Sequence, residues 1–272
     1  MGFSTGLSGS YQVRNKEKGP LETGHERAHA RIGVGPRLNP GDTPELSGVV
    51  SADGRVAFTS AANGSAGDIY LRLAGGVEPP ELLVKSGMAK HPNDWSPDGK
   101  YLMYDEHDPK QRQDLWVVPV DGDRKPIPFL VTAADETLGR FSPDGKWVAY
   151  SSDESGRREV YVRGFAPDRS PAGAVGQWQI SAAGGDKPRW SRDGKEIFYI
   201  ALDGMMMAVP VKSGTAFAPG VAAPLFRTRP SGYVPYDVTP DGRFLIATLP
   251  DDAEQKPSPI TVLLNWTAEL KR

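Results

Sequence analysis

The sequence predicts an all-β fold, a β-propeller of four-stranded antiparallel blades, and two observations lead to this prediction. The first is a short motif, Ser or Thr, any residue, Asp, Gly, then Lys or Arg, which occurs five times. The second is its spacing, because successive copies begin 45, 46, 49 and 48 residues apart. Propeller blades repeat with a similar period of about 40–50 residues. One sheet-forming unit is therefore copied in tandem, with five repeats visible.

Each copy of the motif has the chemistry of a hairpin turn. Asp caps nearby backbone donors, and Gly takes the left-handed conformation that a turn followed by a bulge requires. We predict structural turns rather than calcium sites, since a metal needs several oxygens converging on one point and each copy belongs to a different blade. The predicted turn residues are Asp53, Gly54, Asp98, Gly99, Asp144, Gly145, Asp193, Gly194, Asp241 and Gly242.

The strands of each unit follow from the apolar pattern around the motif. An apolar residue precedes every copy and an apolar run follows it, as at 147–150. These runs do not alternate with polar residues, which is typical of strands covered on both faces by neighbouring sheets. A third strand opens with an acid at 68, 114 and 159, and a shorter fourth strand completes the unit. Four strands per unit is the composition of a propeller blade.

Composition limits the possible partners. The chain has 32 Lys and Arg against 34 Asp and Glu, so it lacks the basic surface that nucleic-acid binding requires. Cysteine is absent, which excludes thiol catalysis and cysteine-based zinc sites. No apolar stretch approaches the length of a membrane span, and the first residues carry no readable export signal. We expect no nucleic acid, no membrane span and no cofactor.

The amino-terminal segment differs from the repeats. Residues 1–46 are rich in Gly, Pro and charge and contain no copy of the motif. We expect a poorly ordered leader at 1–46 and a propeller domain at 47–272. The last unit is one strand short even when 260–264 is counted as a strand. The leader could therefore supply a closing strand, with 31–34 the best candidate.

One catalytic pattern occurs in the leader. His25, Glu26 and His29 match the H-E-x-x-H pattern, in which a helix presents two imidazoles to zinc and the Glu activates water. Gly and Pro follow closely and no third ligand is evident among 4 His, so we interpret the match as chance and predict no metal site. Nucleophile elbows and phosphate-binding glycine loops are also missing. We predict that the protein is not an enzyme.

The residue two positions before each motif is the best candidate for a functional ring. Aligned repeats place it at one height on the innermost strand, next to the central channel. Two interpretations stay open. The ring consists of ion pairs between blades, Asp94 with Arg140 and Asp237 with Arg189, or it contacts a partner. Its members are Val49, Asp94, Arg140, Arg189 and Asp237.

A resemblance to a known family rests on residues 92–95, 123–130, 141–162, 184–190, 236–238 and 259–266. With these stretches the chain resembles the WD-repeat-like propellers of the TolB type, and more narrowly the C-terminal sensor propeller of bacterial membrane-anchored serine/threonine kinases. The resemblance covers about 47–266 and implies a six-bladed ring, so five motifs leave a partial or truncated propeller open.

The resemblance also bears on function and location. It implies a non-catalytic, periplasmic binding scaffold for a protein or peptide, without kinase lobes in this chain. Two alternatives remain. The first is a metal-dependent hydrolase that uses His25 and His29, and the second is a partial gene product without independent function.

Overall fold

The structure, a computed structural model, describes residues 10–14, 45–61, 65–108, 112–169, 173–212, 216–230, 235–239 and 241–248. All secondary-structure elements in these ranges are β-strands, and the strands form five sheets. The predicted all-β class with four-stranded antiparallel blades is confirmed.

Three complete blades follow one another along the chain. The first strand, β1 (Ser10–Arg14), belongs to the last sheet, and the blades begin with the next strand. The first blade contains β2 (Glu45–Val50), β3 (Arg55–Ser60), β4 (Asp68–Leu73) and β5 (Glu81–Val84). The second contains β6 (Ala89–Trp95), β7 (Tyr101–His107), β8 (Gln113–Pro119) and β9 (Ile127–Leu130). The third contains β10 (Glu136–Phe141), β11 (Trp147–Ser152), β12 (Glu159–Phe165) and β13 (Gly173–Gln179).

The fourth blade has a divided outer strand. It contains β14 (Asp186–Trp190), β15 (Glu196–Ile200), β16 (Met205–Lys212), β17 (Ala218–Pro219) and β18 (Ala223–Arg227). Both β17 and β18 pair antiparallel with β16, β18 along its first half and β17 at its end. The fourth strand of this blade is therefore built from two short pieces.

The last sheet receives a strand from the leader. It contains β19 (Tyr236–Val238) and β20 (Phe244–Thr248), and β1 pairs antiparallel with β20 on the side away from β19. The leader strand is thus Ser10–Arg14, whereas the candidate that we favoured, 31–34, lies outside the described residues. The strand predicted at 260–264 also lies outside them.

The sheets stack in chain order. The inner strands β2, β6, β10, β14 and β19 each contact the next one. Between successive sheets lie four apolar clusters, one in each seam. In the four blades the second strands carry runs of buried residues, as the apolar runs predicted, and all six residues of β11 are buried. In the fourth blade Met206 packs towards the last sheet and Met207 towards the third blade.

Tryptophan indoles join two of the seams directly. Nε1 of Trp95 donates to the carbonyl of Val49 at 3.2 Å, and Nε1 of Trp190 donates to the carbonyl of Arg140 at 3.0 Å. Each bond links adjacent blades at the height of the ring. A third indole, that of Trp147, is also buried, but its Nε1 has no hydrogen-bond partner within the described part of the chain.

The five motifs form hairpin turns at one end of the sheets. In the third blade, Oγ of Ser142 donates to Oδ1 of Asp144 at 2.6 Å and accepts the N–H of Trp147 at 3.0 Å. The Gly of each motif has φ between +70° and +85°, which explains the need for glycine. A Cβ on Gly145 would lie 3.5 Å from Pro97. The turn of one blade therefore packs on that of the blade before it.

The first prediction concerns this turn. Replacing Ser142 with Ala removes a buried hydroxyl that satisfies both the Asp144 carboxylate and the Trp147 N–H. We expect Ser142→Ala to lower the free energy of unfolding by about 1–2 kcal/mol, measured by urea denaturation. The exposed Ser155→Ala serves as the control and should change it by less than about 0.5 kcal/mol. Equal effects would contradict the role given to the Ser142 hydroxyl.

The second prediction compares two tryptophans of similar exposure, Trp190 at 7% and Trp147 at 9%. Trp190→Phe leaves the buried carbonyl of Arg140 without its indole donor, whereas Trp147→Phe removes a donor that has no partner among the described residues. We expect Trp190→Phe to cost about 1–3 kcal/mol more stability than Trp147→Phe. A cost for Trp147→Phe that equals or exceeds that for Trp190→Phe, in thermal or urea unfolding, would refute this account of the seam.

Candidate functional site

The predicted ring lies on the inner strands of the five sheets. Val49 is apolar and buried, so the first blade contributes no charge to it. Arg140 is buried with 7% of its surface exposed. Asp94, Arg189 and Asp237 are partly exposed.

The structure brings three of the charged residues into one neighbourhood. Oδ2 of Asp94 accepts the backbone N–H of Phe141 at 2.9 Å, and Nη1 of Arg140 donates to the carbonyl of Asn93. Desolvation raises the pKa of Asp94, while the positive charges of Arg140 and Arg189 act in the opposite direction. Asp94 is therefore held between the second and third blades by a backbone donor and by two nearby cations.

Asp237 and Arg189 do not form the ion pair that we expected. Oδ1 of Asp237 accepts the N–H of Val238 at 2.8 Å. The guanidinium of Arg189 lies 5.8 Å from the ring centroid of Tyr236, and its Nη1 donates to the carbonyl of Pro188 at 3.1 Å. Among the described residues, no carboxylate lies within 4.0 Å of the Arg189 guanidinium. The partly exposed face of this cation is therefore not neutralised by a direct contact there.

Sequence reasoning missed the β-bulges that orient the side chains of the ring. The pairing of inner and second strands shifts register just before the ring position in each of the first four blades. In the third and fourth blades this bulge contains a residue other than glycine with positive φ, Leu138 at 59° and Lys187 at 63°. Such bulges re-aim neighbouring side chains, and left-handed backbone at bulky residues is uncommon. Nothing in the identities of Leu and Lys signals it.

Two clefts open at the end of the sheets opposite the motif turns. One, of about 550 Å³, is lined mainly by the turns around the third blade, including Arg112, Thr132, Asp153 and Glu154. The other, of about 460 Å³, is lined by Glu154, Ser155, Tyr161, Gln177 and Gln179. Glu154 lines both clefts, and Arg112 of the second blade contributes to the larger one.

The turn aspartates occupy separate corners. The Ser51 hydroxyl and the Arg55 side chain lower the pKa of Asp53 to about 2, and the hydroxyls of Ser191 and Thr239 lower the pKa of Asp193 and Asp241 in the same way. In the described ranges no three His, Asp or Glu side chains are grouped as a metal site. His25, Glu26 and His29 lie outside those ranges, so the alternative of a metal hydrolase stays a hypothesis.

No protein-family model matches the chain, and no curated protein matches it. Solved structures do. The putative TolB from Agrobacterium tumefaciens matches with a TM-score of 0.56 at 20% identity, over 74% of this chain and 73% of that one. TolB from Acinetobacter baumannii matches with a TM-score of 0.54 at 17% identity, over 76% of this chain and 55% of that one.

The fold is a TolB-like β-propeller. A puromycin-hydrolyzing peptidase of Mycobacterium tuberculosis also matches the propeller, with a TM-score of 0.52 at 18% identity, over 72% of this chain and 34% of the peptidase. The prediction that the chain is not an enzyme is therefore withdrawn, because the same fold occurs in a puromycin-hydrolyzing peptidase and missing sequence motifs do not exclude catalysis. Identities this low show the fold alone, and the link to kinase sensor propellers does not follow from them. Across the described residues, no helix has the length and apolar character needed to cross a bilayer.

The third prediction concerns His91, a half-buried histidine on the inner strand β6. Nδ1 of His91 lies 3.1 Å from the buried Asp105 carboxylate, and this hydrogen bond raises the pKa of His91. The stabilisation is complete below the ordinary histidine pKa of 6.5 and is lost as the pH rises through the raised value. We expect the difference in free energy of unfolding between the wild type and His91→Gln to fall by about 1 kcal/mol as the pH rises through that window.

The control for this experiment is His107→Gln, which changes an exposed histidine of the same blade. Urea denaturation at a series of pH values measures all three proteins. A pH dependence that is unchanged in His91→Gln would contradict the assignment to His91.

Proposed function

We propose that this propeller binds a protein or peptide and that the charged inner-strand residues Asp94, Arg140, Arg189 and Asp237 contact it. The observation that supports the proposal is the environment of the Arg189 side chain. Its guanidinium is partly exposed and held over Tyr236, with no carboxylate within ion-pair distance among the described residues. Guanidinium groups bind carboxylates through paired, charge-assisted hydrogen bonds. The partner therefore offers an acidic side chain or a carboxyl terminus to Arg189.

The surroundings of Arg189 favour binding without reorganisation. Tyr236 is buried, and its hydroxyl lies within hydrogen-bond distance of the Lys187 and Phe198 carbonyls, at 2.8 and 3.1 Å. The indole of Trp190, the next residue, is fixed to the third blade. A site on strands whose side chains are locked by neighbours loses little entropy when a ligand binds.

The family resemblance supports a more specific form of the proposal. TolB-like propellers share this fold, and the narrower resemblance to kinase sensor propellers favours a sensor or interaction module on the outer side of the inner membrane. In this form 47–272 is the binding domain and 1–46 is a leader that completes the last sheet. No described residue favours the alternative that uses His25 and His29.

The fourth prediction tests the inner-strand site. A phage-displayed library of short random peptides is selected on the wild-type chain, and the enriched peptides are measured by fluorescence anisotropy. We expect acidic peptides whose affinity falls at least about 10-fold for Arg189→Ala, because a charge-assisted contact is lost. Arg192→Ala, which removes an exposed arginine near the motif turn, should stay within about twofold.

Two results would overturn the proposal. In the first, no peptide is enriched on this chain more strongly than on an unrelated propeller used in a parallel selection. The other is a set of enriched peptides whose affinity does not respond to Arg189→Ala, which would place binding elsewhere on the molecule.

A further inference from the structure

An acid at the first or second position of the third strand faces the inner strand of the next blade. The three seams that contain such an acid can be compared directly. These acids are Asp68, Asp114 and Glu159. The residue six positions before the following motif lies at the start of the next inner strand or just before it. In the three seams that residue is Lys90, Glu136 and Gly185 respectively.

In the first seam a buried ammonium compensates the acid. Lys90 has 0% of its surface exposed, and its Nζ lies 3.3 Å from Oδ1 of Asp68. The same Nζ donates to the carbonyl of Met88 at 2.7 Å and to that of Gly67 at 3.4 Å. The buried positive and negative charges therefore satisfy each other.

In the third seam, hydrogen-bond donors replace the ammonium. The carboxylate of Glu159 is buried and accepts the Ser181 hydroxyl, the Gly184 N–H at 2.9 Å and Nε of Arg157 at 2.6 Å. Gly185 brings no side chain to the seam. Both carboxylate oxygens of Glu159 thus have partners.

In the second seam the acid is compensated neither by an ammonium nor by a full set of hydrogen-bond donors. Glu136 occupies the position that Lys90 has in the first seam. Glu136 is 1% exposed, and its Oε1 accepts the hydroxyl of Thr132 at 2.5 Å. The backbone N–H of Thr132 donates to the Asp114 carboxylate. The remaining oxygens, Oε2 of Glu136 and Oδ1 of Asp114, are buried without a hydrogen-bond partner among the described residues.

The groups around this acid pair are mostly negative. Arg112, which lines the same cleft as Thr132, forms ion pairs with Asp135 and Asp153 at 3.4 and 2.9 Å, and Arg158 donates to the Asp135 carbonyl at 2.9 Å. Two more buried hydroxyls, of Thr137 and Tyr150, lack partners in the described ranges. The carboxylates that act electrostatically on the pair are Glu106, Asp108, Asp135, Asp153 and Glu154.

These surroundings disfavour two negative charges. Desolvation raises the pKa of Glu136 to about 7, the Thr132 hydrogen bond opposes this, and Asp114 adds to it. Desolvation also raises the pKa of Asp114. Two neighbouring carboxyl groups with this environment titrate as a pair and retain one proton after isolated acids have lost theirs.

We propose that Asp114 and Glu136 form a proton-binding pair, and that release of its proton to solvent loosens the seam between the second and third blades. The proton takes the role that the Lys90 ammonium has in the first seam. Thr132 is bonded to both acids and also lines the cleft of about 550 Å³ together with Asp153 and Glu154. The width of this cleft therefore depends on pH.

The direction of the effect follows from proton linkage. The folded pKa of Glu136, about 7, lies above the ordinary value of 4.5, so the folded protein holds more protons than the unfolded chain between these values. Stability is therefore highest at the acidic end of that window, falls as the pH rises towards 7, and stays low above it.

The fifth prediction compares two substitutions in the full chain. Glu136→Gln removes the second negative charge, and Glu136→Lys recreates the charge pair of the first seam. We expect the unfolding constant of the wild type, relative to either variant, to rise on the order of 100-fold between pH 5 and 8. Taking the difference between proteins cancels groups such as His91. The exposed Glu78 of the first blade provides the control, since Glu78→Gln should keep the wild-type pH profile.

A measurement on the wild type alone covers the case in which a variant fails to fold. Infrared spectra in D₂O should show a protonated carboxyl band at pH 6 that is lost by pH 8. Absence of the band at pH 6, or parallel pH profiles for wild type and Glu136→Gln, would overturn the proposal. Stabilisation by Ca²⁺ at pH 8 in the wild type but not in Glu136→Gln would assign the pair to a metal ion instead and would overturn it as well.

Discussion

Burial of the central blades on both faces is the constraint on which the rest of the structure depends. Each central sheet packs on a neighbour at both faces, so its second strand carries a buried apolar run, and all six residues of β11 are buried, including Ser151 and Ser152. Backbone polar groups are satisfied within the sheet, while the chain reverses at its ends. The polar chemistry of the molecule is therefore confined to turns, inner strands and the margins of the seams.

The seams show how one position can be stabilised in different ways. Asp68, Asp114 and Glu159 are equivalent by repeat, yet the first meets an ammonium, the last meets neutral and cationic donors, and Asp114 meets another acid. A buried charge needs compensation wherever it lies. The repeats share an acid at this position but differ in the groups that face it. The seams are therefore expected to respond differently to pH, although the blades share one strand arrangement.

The fold does not decide the activity. The same architecture occurs in TolB proteins and in a puromycin-hydrolyzing peptidase, so function has to be argued from individual groups. Here the inner strands present Arg189 over Tyr236 beside the Asp94 and Arg140 charges, and the proposed carboxylate site rests on these groups. The acid pair of the second seam lies near the opposite end from the motif turns, beside a cleft.

The sequence by itself determined the repeat, the turns and the buried strands, because Asp-Gly corners and unbroken apolar runs act over a few residues. It also placed the charged ring on the inner strands. Only the tertiary structure decided the contacts of that ring, because bulges at Leu138 and Lys187 re-aim side chains and the Trp190 indole fixes the neighbouring blade. The leader strand Ser10–Arg14 and the meeting of Asp114 with Glu136 were decided in the same way. Pairing between distant segments depends on three-dimensional packing, which a local pattern does not encode.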